Sequence, residues 1–344
     1  MPHRDGVVRP RSLAAAVLVL GIAACDGPIG AGDAGGVDAL VVDASPDAAA
    51  LDAASLDAPM ADDAARAEDA PRLDTAADAG PDRSLVAGVH EVLFVGNSYT
   101  YVGDVPARYR GLLGATAPRI ESVAFGGYTL AQHATDAATD GTALAGWLRT
   151  GTMEQRAFDA VVLQEQSQIG GFPEDQPDRM ASLAGASALA TLAHGNGSAV
   201  VLYLTWGREH GDDLNPGLFP TYEAMQDRLD AGYRAMAVRL RGEGNRVRVA
   251  PVGAAFRAVH DDVVALGMDP EAEGSAFDAL YASDGSHPSE GGAYLAAVVI
   301  EATISGADPT SLPDATDLDP SISRAYREVA ARVMADPAWE SELR

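Results

Sequence analysis

Five short, continuously apolar runs along residues 85–344 constrain the fold more than any other feature of this sequence. Strands that are apolar on both faces belong in a sheet covered by helices on both sides. Longer stretches with helical periodicity separate the runs, which is typical of an α/β protein with a parallel sheet. We therefore predict a three-layer α/β/α sandwich with a five-stranded parallel sheet of the flavodoxin-like type. The predicted strands are Glu91–Val95, Ile120–Phe125, Ala160–Gln164, Ala199–Thr205 and Val247–Val252, and the predicted helices cover 104–115, 175–194, 219–241, 289–304 and 320–335.

The first 25 residues have the character of an export signal. Arg4, Arg9 and Arg11 precede an apolar run over residues 12–24 that ends in small side chains. The run is shorter than the roughly 20 apolar residues that a membrane-spanning helix needs. We therefore predict a signal peptide over residues 1–25.

Cys25 is the only cysteine of the chain. The chain therefore has no internal disulfide, no metal site built from cysteines and no second thiol. It directly follows Ile22-Ala23-Ala24, and this quartet resembles the lipobox of bacterial lipoproteins. The resemblance implies a lipid on Cys25 that anchors the exported protein to a bacterial membrane. An ordinary signal peptide with an incidental cysteine is the alternative.

Residues 26–84 form an acidic segment rich in alanine and aspartate. From Asp26 to Arg83 the sequence has 14 acidic residues, 3 arginines, 18 alanines and no aromatic residue. Such a composition cannot bury enough apolar surface to offset the entropy of ordering the chain. We predict a disordered linker here, followed by one domain over residues 85–344.

Charge excludes several functions. The net charge of the chain is −26, of which −17 belongs to residues 85–344, and the chain contains no lysine. A domain this acidic does not bind nucleic acid through its phosphates. The absence of lysine excludes Schiff-base chemistry and the P-loop lysine.

Polar and glycine residues follow several predicted strands at the point where each strand ends. Ser98 comes after the first strand, Gly126-Gly127 after the second, Gln166 after the third and Trp206 after the fourth. In open parallel sheets ligands bind at the carboxyl ends of the strands. The functional site is therefore predicted at this edge.

Two motifs near opposite ends of the domain carry chemistry. Val92–Thr100 is a strand that runs into Gly96-Asn97-Ser98, and Ser283–Ser289 is a loop in which Asp284 lies three residues before His287. Together, and in this order, they resemble the SGNH hydrolases, the superfamily of GDSL-type esterases and lipases. The resemblance extends over residues 90–305 and implies the SGNH hydrolase fold and a serine ester hydrolase.

The same residues have a physical rationale as a catalytic triad. A serine hydroxyl becomes a strong nucleophile when a neighbouring base takes its proton, which assigns Ser98 as nucleophile and His287 as base. Asp284 would accept the other ring N–H of His287 and fix its orientation. In the alternative interpretation Ser98 caps a helix, and Asp284 or Ser286 caps the helix near Ser289.

The resemblance also implies an oxyanion hole, a set of donors for the negative oxygen of the tetrahedral intermediate. The family uses the N–H of the serine, here Ser98, and a glycine N–H after the second strand, here Gly127 with Gly126 as second choice. Its asparagine after the third strand is replaced here by Gln166. Glutamine has the same amide on a side chain one methylene longer, so the geometry must differ. Gln164 is a second candidate on the same strand.

The remaining candidates have weaker support. Asn97, Gln164 and Trp206 are candidate substrate contacts, with Trp206 in the core as the alternative. His133 is a candidate near the glycine loop. The polar stretch that begins with Arg208, Glu209 and His210 is interpreted as a solvated connection, with a substrate-binding rim as the alternative. His194 and His260 are interpreted as surface or helix-end residues. No metal-ligand spacing is evident, and no cofactor is expected.

We therefore expect an exported serine esterase that removes short acyl groups, such as acetyl, from a carbohydrate or another small ester. The lipid on Cys25 would be its only contact with a membrane. An inactive glycan-binding module on the same fold and an acyltransferase with the same triad are the alternatives. The sequence does not indicate the oligomeric state.

Overall fold

The computed structural model describes Leu85, residues 90–114 and residues 119–342. The predicted signal peptide, Cys25 and the linker over residues 26–84 lie outside these residues. Among the helices described, none has the combination of length and apolar composition required to cross a membrane.

A five-stranded sheet forms the centre of the domain. All of its strand pairs are parallel, and the strand order is β2-β1-β3-β4-β5. Strands β1, β3, β4 and β5 are buried along their whole length, whereas β2 at one edge is only partly buried. The predicted fold class is confirmed. The strands are β1 Val92–Gly96, β2 Ile120–Ala124, β3 Ala160–Leu163, β4 Ala199–Tyr203 and β5 Val247–Ala250.

Helices cover both faces of the sheet. Helices α2, α8 and α9 pack together on one side, and α3, α5 and α6 pack on the other. The helices are α1 Ser98–Tyr101, α2 Val105–Leu113, α3 Leu130–Ala138, α4 Ala143–Leu148, α5 Pro177–Gly195, α6 Tyr222–Gly242, α7 Val252–Ala265, α8 Glu290–Ser305, α9 Pro320–Met334 and α10 Pro337–Glu340.

Helix α8 is the most deeply buried helix of the fold. Every residue from Gly291 to Ile304 is buried, because the helix packs against β4, β5 and three neighbouring helices. The side chain of Ser289 caps its first turn by accepting the N–H of Gly292. The loop that precedes α8 contains Asp284 and His287, so the core fixes the position of that loop.

Most predicted elements agree with the structure, and four helices were missed. All five predicted strands end within two residues of the observed ones, and the last two residues of the segment predicted as Val247–Val252 lead into helix α7. Helices α3, α4, α7 and α10 were not predicted. They are short or alanine-rich, so their periodicity is weak over the few turns available.

Candidate active site

Ser98, His287 and Asp284 meet at the carboxyl edge of the sheet. The Oγ of Ser98 lies 2.8 Å from Nε2 of His287. Nδ1 of the same ring lies 2.5 Å from Oδ2 of Asp284. Two residues that are 189 positions apart in the chain are thus in hydrogen-bond contact.

Asp284 is held in place by more than the histidine. Its Oδ1 accepts the backbone N–H of Ser286 at 3.0 Å and that of His287 at 2.9 Å. Partial burial raises the pKa of Asp284, but the hydrogen bonds from the His287 ring and from the two backbone N–H groups outweigh it. The pKa therefore lies below its ordinary value, and the carboxylate is ionised at neutral pH.

The turn between β1 and α1 exposes the serine. Ser98 is the first residue of α1 and is half-buried, whereas the residues on either side of it are buried. A side chain at Gly96 would collide with the hydroxyl of Thr100 and the amide of Gln164. Glycine is therefore required for the chain to turn this sharply beneath the serine.

Asn97 and Gln164 have structural roles, which corrects their assignment as substrate contacts. Both are buried, and their side chains bond to each other at 2.9 Å. Asn97 also caps α1 by accepting the N–H of Tyr99 and donates to the carbonyl of Tyr128. Gln164 accepts the backbone N–H of Asn97 and the hydroxyl of Thr100. These amides join the serine turn to the ends of β2 and β3.

Trp206 was a candidate for stacking on substrate, and this assignment is also wrong. The side chain is fully buried between the rings of Tyr99 and Phe256, with centroids 4.8 Å and 4.3 Å away. Its indole N–H donates to the carbonyl of Ser286 at 3.0 Å. Trp206 supports the histidine loop from below rather than contacting a ligand.

The glycine loop after β2 offers free backbone donors. Gly127 has φ +68°, and both Gly126 and Gly127 are exposed. Neither N–H donates to an acceptor within the described part of the chain, and the same holds for the N–H of Ser98. Beneath the loop, Nε2 of the buried His133 lies 2.7 Å from the carbonyl oxygen of Gly96. Burial lowers the pKa of His133, so the neutral ring supports the serine turn.

Gln166 lies at the end of β3 and is half-buried. Its side-chain carbonyl accepts the N–H of Gln168 at 2.9 Å, and its Nε2 makes one long contact of 3.3 Å to the side chain of Gln168. The carboxylate of Glu165 accepts the backbone N–H of Gln166 at 2.6 Å and that of Leu130 at 3.1 Å. Burial raises the pKa of Glu165 by more than these bonds lower it. The position of Gln166 is therefore set by its neighbours.

The stretch after β4 was interpreted as a solvated connection, and the structure corrects this. Asp212 is buried and accepts hydrogen bonds from Arg208, Gln168 and Asn215 at 2.6–2.8 Å. These bonds satisfy its charge and hold the segment against Gln168.

Two histidines outside the site differ from each other. His194 is exposed in the last turn of α5, as expected. His260 is buried between the rings of Tyr222 and Phe277, each about 5.0 Å away, and is not a surface residue. Among the residues that the structure describes, no three His, Cys, Asp or Glu side chains are placed to hold a metal ion.

Glu209 lies against the loop that carries the triad. Its N–H donates to the carbonyl of Gly285 at 2.8 Å, and only 4% of the residue is exposed. Burial raises the pKa of this carboxyl from 4.5 to about 6; His210 lowers it, whereas Asp278 and Glu271 raise it further. The folded protein therefore holds a proton on Glu209 more tightly than the unfolded chain does.

Glu209→Gln is expected to stabilise the protein at neutral pH. A carboxyl whose pKa is raised by folding adds to the free energy of unfolding at low pH. This contribution is fully present below the unfolded pKa of 4.5 and is lost as pH rises through about 6. Glutamine does not titrate and so avoids this loss. The free energy of unfolding of the variant should exceed that of the wild type by at most about 2 kcal/mol at about pH 8, and the difference should vanish near pH 4. Urea unfolding across this range measures it. The exposed Glu273→Gln is the matched control, and an equal pH slope in wild type and Glu209→Gln would contradict the expectation.

Comparison with known proteins adds to this geometry. No protein-family model matches the chain, and no curated protein matches it. A solved DUF4886 family protein from Bacteroides uniformis is 16% identical with a TM-score of 0.55, and the match covers 75% of this chain and all of that one. A candidate SGNH hydrolase from Slackia heliotrinireducens is 29% identical with a TM-score of 0.46, covering 62% of this chain and 97% of that one. The described domain shares its fold with the DUF4886 family protein.

A third solved structure, a catalytic mutant of an acetylxylan esterase from Geobacillus stearothermophilus, is 15% identical with a TM-score of 0.40. That match covers 63% of this chain and 94% of that one.

One contact within the site was not predicted from the sequence. The hydroxyl of Tyr99 lies 2.7 Å from that of Ser286, and its ring meets that of His287 edge-on at 5.5 Å. Tyr99 thus links the serine helix directly to the histidine loop. Because the sequence shows only an aromatic residue after Ser98, nothing in it indicated a partner 187 residues away.

Proposed function

We propose that the protein is a serine ester hydrolase that acts through a covalent acyl-enzyme. Two consecutive hydrogen bonds carry the proposal. Ser98 Oγ lies 2.8 Å from His287 Nε2, and His287 Nδ1 lies 2.5 Å from Oδ2 of Asp284. This arrangement is the one that serine hydrolases of unrelated folds use to activate a hydroxyl.

In the acylation step His287 takes the proton of Ser98 while Oγ attacks the ester carbonyl carbon. The imidazolium that forms is stabilised by the ionised Asp284, which accepts its Nδ1–H. Collapse of the tetrahedral intermediate breaks the bond to the alcohol oxygen. His287 returns its proton to that oxygen, and the alcohol leaves.

Deacylation repeats these steps with water. His287 takes a proton from a water molecule, and the resulting hydroxide adds to the acyl carbonyl. The bond to Ser98 then breaks, Oγ regains the proton from His287, and the carboxylic acid leaves. The free enzyme is restored with no other reactant.

Three groups would donate to the oxyanion: the N–H groups of Ser98 and Gly127 and the side-chain amide of Gln166. The first two are supported because neither N–H has an acceptor among the described residues. Gln166 is supported by its position after β3 and by the weakness of its 3.3 Å contact to Gln168. Each such donor contributes about 2.7–4 kcal/mol to the stabilisation of the transition state.

We propose short acyl esters of carbohydrates or other small alcohols as substrates, outside the cytoplasm, with Cys25 as the lipid anchor. The charge of −17 over residues 85–344 favours neutral substrates over anionic ones. Only the lipid at the N-terminus would contact the membrane.

Incubation of the purified protein with p-nitrophenyl acetate tests the proposal. We expect release of p-nitrophenol and an equal amount of acetate, followed by absorbance and by proton NMR. Release of acetyl esters instead of acetate when glycerol is added would identify an acyltransferase. Failure to turn over this and other small acetyl esters, with retained binding of a glycan, would identify a binding module.

A further inference from the structure

Two half-exposed aromatic rings lie beside the serine. Tyr101 is 48% exposed and Phe125 is 49% exposed, although most of the large apolar side chains of the described residues are buried. Exposed aromatic rings grouped at a site, rather than scattered, mark a contact surface. We call the pair the aromatic platform.

The platform is tied to the catalytic centre on both sides. Tyr101 lies three residues after Ser98 in α1, and side chains at this spacing share one side of a helix. Its hydroxyl is 3.3 Å from the point where a Cβ on Gly126 would lie, so the ring reaches the glycine loop. Phe125 directly precedes Gly126 and meets the ring of Tyr128 edge-on at 4.9 Å.

The two platform rings are only partly covered by the fold. Trp206, the aromatic residue that the sequence suggested as a ligand contact, is fully buried, whereas about half of each platform ring is exposed. The platform borders Gly126 and is therefore next to Gly127, whose N–H is proposed to hold the ester carbonyl oxygen.

We propose that the aromatic platform binds the ring of an uncharged carbohydrate that carries the ester; the inference rests on the proposed function. The C–H face of a sugar is apolar and flat enough to cover an aromatic ring, while its hydroxyls need polar partners at the ring edge. The hydroxyl of Tyr101, at the edge of the glycine loop, supplies such a group. Gly126 and Gly127 provide no aliphatic wall for a long acyl chain, and the charge of −17 opposes an anionic lipid.

Steady-state kinetics on two esters tests the inference. Methyl 6-O-acetyl-β-glucopyranoside presents a sugar ring, and ethyl acetate does not. For Tyr101→Ala and for Phe125→Ala, the ratio of the KM of the sugar ester to that of ethyl acetate should rise about two- to twelvefold, because a stacked ring contributes about 0.5–1.5 kcal/mol beyond its buried area. Because the sugar is stacked before and during the reaction, the change should appear in KM rather than in kcat.

The control is Val264→Ala, which removes an equally exposed apolar side chain (49%) near the end of α7 and should leave the ratio unchanged. A ratio that stays the same in both platform variants would overturn the inference while leaving the esterase proposal intact. The inference would also fail, and the esterase proposal stand, if the wild type hydrolyses ethyl acetate and shows no preference for the sugar ester.

Binding without turnover separates the two proposals further. In Ser98→Ala, saturation-transfer NMR with the same sugar ester should show the strongest transfer to the sugar-ring protons. This transfer should fall when Ser98→Ala is combined with Tyr101→Ala or with Phe125→Ala. If neither ester is hydrolysed by the wild type but this pattern is seen, the esterase proposal fails and the platform stands. Equal transfer to all sugar and acetyl protons, unaffected by either platform substitution, contradicts the platform.

Discussion

Replacing Ser98 by alanine is expected to lower kcat for p-nitrophenyl acetate by about 10⁶-fold. The substitution removes the atom that forms the acyl-enzyme, and the remaining rate is that of water attack assisted by oxyanion donors. The fold should be unaffected because Ser98 is half-buried and, among the described residues, its Oγ forms a hydrogen bond only with His287. Kinetics and the thermal unfolding midpoint, measured on the same sample, check both statements.

The double variant Ser98→Ala/His287→Ala sharpens this prediction. Because the two side chains act as one unit, the second substitution should cost almost nothing once the first is made. Additive losses would show that the serine and the histidine act separately. Retention of more than about a hundredth of the wild-type kcat in Ser98→Ala would remove Ser98 as the nucleophile.

Asp284→Asn is expected to lower kcat by about 10⁴-fold with little change in KM. The Oδ1 of the asparagine can still accept the N–H groups of Ser286 and His287, so the loop keeps its shape. Its Nδ2 then faces Nδ1 of His287 and donates a hydrogen where the aspartate accepted one. The ring must place its own hydrogen on Nε2, the atom that should accept the proton of Ser98.

The matched control for Asp284→Asn is Asp278→Asn, a carboxylate of the same region that has no contact with the His287 ring. It should leave kcat within about threefold of the wild type. A loss of less than about tenfold in Asp284→Asn would show that the orientation of His287 does not depend on this carboxylate.

The sheet was predictable because four of its five strands are buried on both faces. Val92–Gly96 and Ala199–Tyr203 are continuous apolar runs, and no other element of this length needs such a pattern. The ends of the elements were less clear. Residues after Ala250 are as apolar as the strand itself, so the sequence does not show that the chain turns into α7 at Val252.

The residues of the triad were predictable because their local sequences impose their geometry. A glycine turn after a buried strand exposes Ser98, and the spacing of Asp284 and His287 lets one loop supply both groups. The rule that the ends of parallel strands share an edge places Ser98 there. His287 lies in a loop between α7 and α8 and does not follow a strand, so its contact with Ser98 across 189 residues was indicated only by the family resemblance.

The substrate contacts were not predictable because side-chain direction depends on packing. Trp206 follows β4 at the same edge as Ser98, yet Tyr99 and Phe256 cover both of its faces. Gln164 and Asn97 have the polar groups that a ligand would need, but each uses them to bond to the other. Only the three-dimensional structure distinguishes these buried amides from the exposed rings of Tyr101 and Phe125.

The most direct test of the account is to locate the covalent adduct left by a fluorophosphonate that reacts with activated serines. After digestion, mass spectrometry should find a single adduct, on Ser98, and the labelling rate should fall by at least about a thousandfold in His287→Ala. An adduct on another serine, or equal labelling of wild type and His287→Ala, would contradict the claim that His287 activates Ser98.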